Sequence, residues 1–181
     1  MDTVKEITEF KGNNAFLSNT YPARVMFDEL IFDSVETAYQ AAKTINMSVR
    51  KKMSYMEWSE AKLYAGNDPL TVARKREKLV GIYQKYELTS PLVLRPDWDK
   101  IKFEIMYHLV SQKFHQLHMG VQLLATDGYE LVEGNYWHDN IWGDCRCVLC
   151  QGIEGQNHLG KILMKVREEL HSKGVFSEYL T

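Results

Sequence analysis

Two apolar triplets, Val25-Met26-Phe27 and Leu30-Ile31-Phe32, flank Asp28-Glu29 and predict a short β-hairpin inside a stretch, residues 7–32, that otherwise reads as extended. The period then changes. Asp33 or Ser34 opens a helix, with Glu36 three residues after Asp33 as its capping-box partner, and the helix runs from Val35 through Lys43. A second helix is predicted from Tyr55 to Ala65, with Ser54 and Glu57 as its box and Gly66 as its stop. Residues 69–79 read as helical and highly charged. In the longest helix, from near Asp97 to near His115, Trp98, Ile101, Ile105, Leu109 and Phe114 recur at roughly helical spacing. A short helix over Val121 to Ala125 is ended by Asp127-Gly128, and Glu130 to Glu133 reads as a strand. Leu159, Ile162, Leu163, Val166 and Leu170 make the stripe of a last helix that Gly174 closes. The pattern implies an α+β, predominantly α-helical fold, its strands too few and irregular for a doubly wound sheet.

Length and charge narrow this further. With 181 residues, no repeats and no Pro/Gly/Ser linker, the expected organisation is a single domain over residues 1–181. Lys plus Arg number 22 against 24 Asp plus Glu. That balance argues against a surface coated with basic residues but leaves room for a local basic cleft. No apolar run reaches the roughly 18 residues of a membrane span, and the opening residues lack a signal-peptide core, so no membrane partner and a cytoplasmic location are expected. Phosphate-loop, dinucleotide-fold, zinc-protease and serine-hydrolase motifs are missing.

Candidate chemistry gathers in four places. Glu36, Gln40 and Lys43 are spaced four and three apart and share one face of the first predicted helix, opposite Val35, Ala38 and Ala42. A carboxylate, an amide and an ammonium so aligned can hold and process a polar ligand; they can also be a solvated stripe in which Glu36 only caps. Asn135 to Asp144 crowds Trp137, Trp142, His138 and two carboxylates into ten residues without helical period, a loop that reads either as functional or as packed aromatics with turn-forming Asp and Asn. Arg95-Pro96-Asp97-Trp98 leads into the long helix, with Asp97 as a natural N-cap. All three cysteines, Cys145, Cys147 and Cys150, fall within six residues. With His138 and His158 nearby they could hold zinc, but a second C-x2-C pair is missing, so no metal is assigned and the thiols are read as dispensable for the chemistry. The basic runs Arg50-Lys51-Lys52 and Arg74 to Lys78 read as solvated faces unless they border the same cleft.

Four segments in register resemble the NADAR, or YbiA-like, family: Phe16-Leu17-Ser18-Asn19, then Ser34 to Lys43; Arg95-Pro96-Asp97-Trp98-Asp99 leading into a long helix with Phe114; Asp139-Asn140-Ile141-Trp142-Gly143; and Gly155 to Arg167. The resemblance runs from about residue 10 to about residue 170. Thr20 stands where family members often carry an aromatic residue, and the three cysteines look like a subfamily feature.

The resemblance implies an N-glycosidase on a mainly helical α+β domain, working without a cofactor on the bond between a ribose anomeric carbon and an exocyclic amino nitrogen. One family branch removes ADP-ribose from guanine in DNA or RNA, the substrate expected first here. Another acts on phosphoribosylamino-pyrimidine intermediates of riboflavin synthesis. Carried over, Glu36, Lys43 and Asp139 are the catalytic candidates, and Asn19, Gln40, Trp98, Trp142, Gly143 and Asn157 the substrate-binding ones. Bond cleavage builds positive charge on the ribose, which a carboxylate can stabilise. Ring opening to an imine would let a lysine amine exchange in as a Schiff base. A non-catalytic reader of ADP-ribose or a nucleotide, and a plain interaction module, remain competing classes.

Overall fold

The structure is a computed structural model in which residues 5–66 and 69–179 are described. The chain divides into two compact units, one running from Pro22 to Leu109 and the other joining the segment up to Tyr21 with everything from Val110 onward.

In the Pro22–Leu109 unit the hairpin forms as the sequence predicts. Strands β2 (Val25–Phe27) and β3 (Leu30–Phe32) pair antiparallel, with β1 (Lys5–Ile7) belonging to the other unit. Asp28 and Glu29 both take positive φ, 45° and 64°, as a two-residue turn matched to strand twist requires. Helix α1 (Val35–Ala42) follows at once. Its cap is Ser34, whose hydroxyl accepts from the Thr37 amide. Asp33 is therefore not the cap, and Glu36 is not a box partner: its carboxylate turns along the helix to Gln40. Every residue of α1 is buried, Glu36 and Gln40 included, which rules out a solvated stripe.

Helix α2 (Met47–Met53), capped by the Asn46 side chain, went unseen in the sequence because three of its seven residues are basic. Its buried Arg50 pairs with Asp28 in the hairpin turn and lies over the Phe27 ring. Helix α3 (Trp58–Ala65) starts later than predicted, because the working capping box is Glu57 with Glu60 rather than Ser54 with Glu57. Gly66 ends it in extended backbone, φ −75°, not in the left-handed conformation a terminal glycine usually supplies. The predicted charged helix is two, α4 (Pro69–Arg74) and α5 (Arg76–Lys85), broken at Lys75. Helix α1 packs against α2 and α3. The buried alanines of α1 (Ala38, Ala41, Ala42) and α3 (Ala61, Ala65) permit close approach. Helix α6 (Trp98–Phe114) is the long helix expected, and the unit boundary falls within it.

The other unit opens with β1 and corrects the extended reading of residues 7–32: Gly12–Leu17 is a 3-10 helix, burying Phe16 and Leu17. Helix α7 (Leu117–Leu124) begins four residues before its predicted start. Strand β4 (Tyr129–Leu131) pairs parallel with β1, and the two-residue strands β5 (Gly134–Asn135) and β6 (Asp144–Cys145) also pair parallel. Helix α8 (His158–Ser172) packs on α7 and β4 through Leu159, Leu163, Val166 and Leu170. Gly174, at φ +61°, closes it as the sequence predicted. The fold is α+β with helix dominant. Among the described residues no helix is long and apolar enough to cross a membrane.

Candidate functional site

Burial of α1 sets the first site. Glu36 is 8% exposed and Gln40 5%, and Gln40 Nε2 donates to Glu36 Oε1 at 2.9 Å. This orients the amide, because the reversed rotamer would set two oxygens against each other. Gln40 Oε1 is left buried without a partner. An orphaned acceptor costs about 1–3 kcal/mol, a cost that a ligand N–H or O–H would relieve. Lys62 of α3 reaches Glu36 Oε1 at 3.7 Å from a largely exposed position. A lone exposed lysine carries no sequence signal, and sequence reasoning missed it.

Lys43 lies one turn beyond Gln40, its Nζ 6.0 Å from the ring centroids of both Tyr39 and Trp98. Those two rings pack at 4.9 Å between centroids. Desolvation lowers the Lys43 pKa from its ordinary 10.5; the Glu36 charge works the other way and the Lys62 charge adds to the lowering. The Arg95-Pro96-Asp97-Trp98 turn is docked on the end of α1: the Arg95 amide donates to the Lys43 carbonyl at 2.7 Å, and its guanidinium reaches the Ala42 carbonyl at 3.5 Å. These are carbonyls the helix terminus cannot satisfy itself. The same guanidinium takes Asp97 two-pronged and holds its carboxyl below the usual range, so Asp97 serves Arg95. Glu36, Gln40, Lys43 and Trp98 are thus brought together in one unit, with Tyr39 and Lys62 added.

The remaining candidates lie in the other unit. Asp139 Oδ1 accepts from the Ile141 and Trp142 amides at 3.1 and 2.8 Å, which makes it the organiser of the turn that presents Trp142. The half-buried Trp142 indole meets His158 edge-on at 6.3 Å. Asn157 sits at φ 47°, and its amide is spent at both ends on backbone, Oδ1 on the Glu133 N–H and Nδ2 on the Leu131 carbonyl. This gives Asn157 an architectural job, tying the start of α8 to the end of β4. Gly143 is required for close approach, since a β-carbon there would run into the Glu133 carbonyl. Asn19 is buried in the loop after the 3-10 helix.

Next to Asn19, at the Ser18 carbonyl, is a group that sequence reasoning missed. Lys113 is fully buried, donates to the Ser18 carbonyl at 2.7 Å, and lies against the Tyr21 and Phe114 rings. Burial pushes it from 10.5 down to about 7. Below about pH 7 the lysine is charged in both folded and unfolded states, and the fold bears its whole desolvation cost. Between about 7 and 10.5 the unfolded chain binds the extra proton, so stability rises with pH and the cost is relieved. Wild-type stability relative to Lys113→Met is therefore expected to increase, by up to about 5 kcal/mol, across that window. Urea unfolding of both proteins at several pH values checks this, and a pH-independent difference would refute it.

Cys145, Cys147 and Cys150 are free thiols, and the imidazole of His138 joins them, all four donor atoms lying within 4.8 Å of one another. His158 is not part of this group; its Nε2 pairs with Gln156. An open groove of about 680 Å³ along α8, flanked by Asp127, Lys161, Lys165 and Glu168, holds none of the predicted site residues.

Comparison with known proteins shows the family and the fold. A riboflavin biosynthesis protein of Vibrio vulnificus (strain YJ016) is 32% identical over 166 residues, 91% of this chain and 38% of that protein. An N-glycosidase of Nostoc punctiforme is 41% identical over 81 residues, 44% of this chain and 47% of that one. The chain spans less than half the length of either. The NMR structure of the E. coli protein YbiA shares the fold, with a TM-score of 0.65 at 23% identity over 97% of this chain and 89% of that one. The family model described as the NADAR domain matches residues 5–171, across both units, and the chain belongs to that family.

Proposed function

We propose that the chain is an N-glycosidase that hydrolyses the bond between a ribose anomeric carbon and an exocyclic amino nitrogen. The observation that carries this is the buried Glu36–Gln40 pair, with an orphaned amide oxygen, beside a lysine made less basic by its burial. A carboxylate in a low-dielectric wall stabilises positive charge as it develops on the ribose. Gln40 Oε1 accepts a sugar hydroxyl or the amino N–H, and Trp98 with Tyr39 screens the reacting carbon from water. Water adds the hydroxyl to the anomeric carbon, and the amino nitrogen leaves with a proton.

As substrate we put first ADP-ribose on guanine in nucleic acid. Arg74, Lys75, Arg76 and Lys78 form an exposed basic run suited to a phosphate backbone. A second reading, a phosphoribosylamino-pyrimidine intermediate of riboflavin synthesis, is supported by relatives named as riboflavin biosynthesis proteins. The test is incubation with ADP-ribosyl-guanine DNA and, separately, with the riboflavin intermediate, reading free ribosyl product by mass spectrometry. Release from the DNA alone supports the first substrate, and release from the pyrimidine alone supports the second. Tight binding without release from either would make the chain a nucleotide reader instead.

A further inference from the structure

The cysteine cluster lies outside the chemistry just described, and its geometry is that of a metal site. His138 Nδ1 is 3.4 Å from Cys150 Sγ and 3.3 Å from Cys147 Sγ. A tetrahedral zinc with Zn–S of about 2.3 Å and Zn–N of about 2.05 Å has N···S edges of about 3.5 Å and S···S edges of about 3.8 Å. The four donor atoms, all within 4.8 Å, need to contract by no more than about 1.3 Å at their widest edge to reach that tetrahedron. We propose that Cys145, Cys147, Cys150 and Nδ1 of His138 form a structural zinc site that pins the loop between Asn135 and Asp144.

Three features of the chain support this. His138 is held at φ 66°, a conformation uncommon for a residue with a β-carbon, and there its imidazole faces the thiols. The sulfurs already collect the outer donors that metal-bound thiolates use: the His138 amide reaches Cys145 Sγ at 3.3 Å, and Asn140 Nδ2 reaches Cys150 Sγ at 3.3 Å. Finally, four protein donors close the coordination sphere, the arrangement of structural rather than catalytic zinc. Three thiolates and one neutral imidazole select a borderline-soft tetrahedral ion. Binding releases the three thiol protons to solvent and leaves a complex of net charge −1.

The site brackets Asp139 between His138 and Asn140, so the ion fixes the turn that presents Trp142. The sequence offered both His138 and His158 as partners of the three thiols, and the structure brings His138, seven positions before the first cysteine, to them and leaves His158 out.

The experiment is purification without chelator from zinc-supplemented cells, with metal content read by plasma mass spectrometry. One zinc per chain is expected in the wild type. His138→Asn keeps a residue that tolerates positive φ and removes the imidazole; Cys147→Ser removes a ligand that is not fully buried. Both are expected to retain their helices by circular dichroism while zinc falls to a small fraction of one per chain. Cobalt loaded into the wild type should show the visible bands of tetrahedral thiolate coordination, lost in both variants. Hydrogen exchange of residues 134–151 should quicken on zinc removal while α1 and α3 stay protected. A wild-type protein that takes up neither metal more tightly than His138→Asn, that carries iron instead, or that is isolated with a disulfide within the cluster would overturn the proposal. The metal readout does not depend on the glycosidase reading, so failure of either leaves the other standing.

Discussion

Glu36→Gln is expected to lower kcat by about 10²–10⁴-fold, the range a positioned catalytic carboxylate commands, while leaving the fold intact. Glutamine keeps the Oε1 acceptor for Gln40 and loses only the charge. That charge is paired across 3.7 Å to the largely exposed Lys62, an interaction worth under about 1 kcal/mol. The helix cap is untouched, because Ser34 supplies it. The same substitution carries a second signature. The Glu36 charge raises the Lys43 pKa against desolvation, so its loss must lower that pKa further. If neutral Lys43 is needed for turnover, the acidic limb of the residual pH profile moves to lower pH. Denaturant midpoints, kcat and the pH profile of the variant test all three points. Wild-type turnover would remove Glu36 from the chemistry.

The face shared by Glu36, Gln40 and Lys43 was legible from spacing alone, but its meaning was not. An i, i+4, i+7 polar stripe is usually solvated, and burial of all eight residues of α1 is a property of α2, α3 and the hairpin packed around it. The hairpin, α6 and α8 were legible for the same local reason: period and turn chemistry lie within a few residues. What escaped depends on distant partners or on very short runs. The β1–β4 pairing joins residues more than a hundred positions apart over three residues each. Lys113 and Lys62 are lysines on helices, a residue type almost never fully buried. Asn157 matched a family segment, yet the structure spends its amide on backbone, which no single sequence discloses.

Lys43→Arg separates two routes for the same bond. In the covalent route the ribose ring opens to an imine, the neutral Lys43 amine adds to C1, the exocyclic amine departs with a proton, and water hydrolyses the lysine imine. That route needs an amine deprotonated near the working pH. Desolvation of the Lys43 side chain lowers its pKa in that direction, against the pull of Glu36 towards the charged form. Arginine stays charged at any working pH and cannot form the imine. The variant is expected to lose about 10²–10⁴-fold in kcat, and the wild-type rate to rise with pH through the depressed lysine pKa. Borohydride added during turnover should leave a reduced sugar adduct on the peptide bearing Lys43, absent in the variant. Had Lys43 served only to bind phosphate or hydroxyl groups, arginine would largely replace it, the acidic limb would vanish, and no adduct would form. That result would leave Glu36 to stabilise an oxocarbenium-like state by direct hydrolysis, with Gln40 Oε1 orienting the sugar.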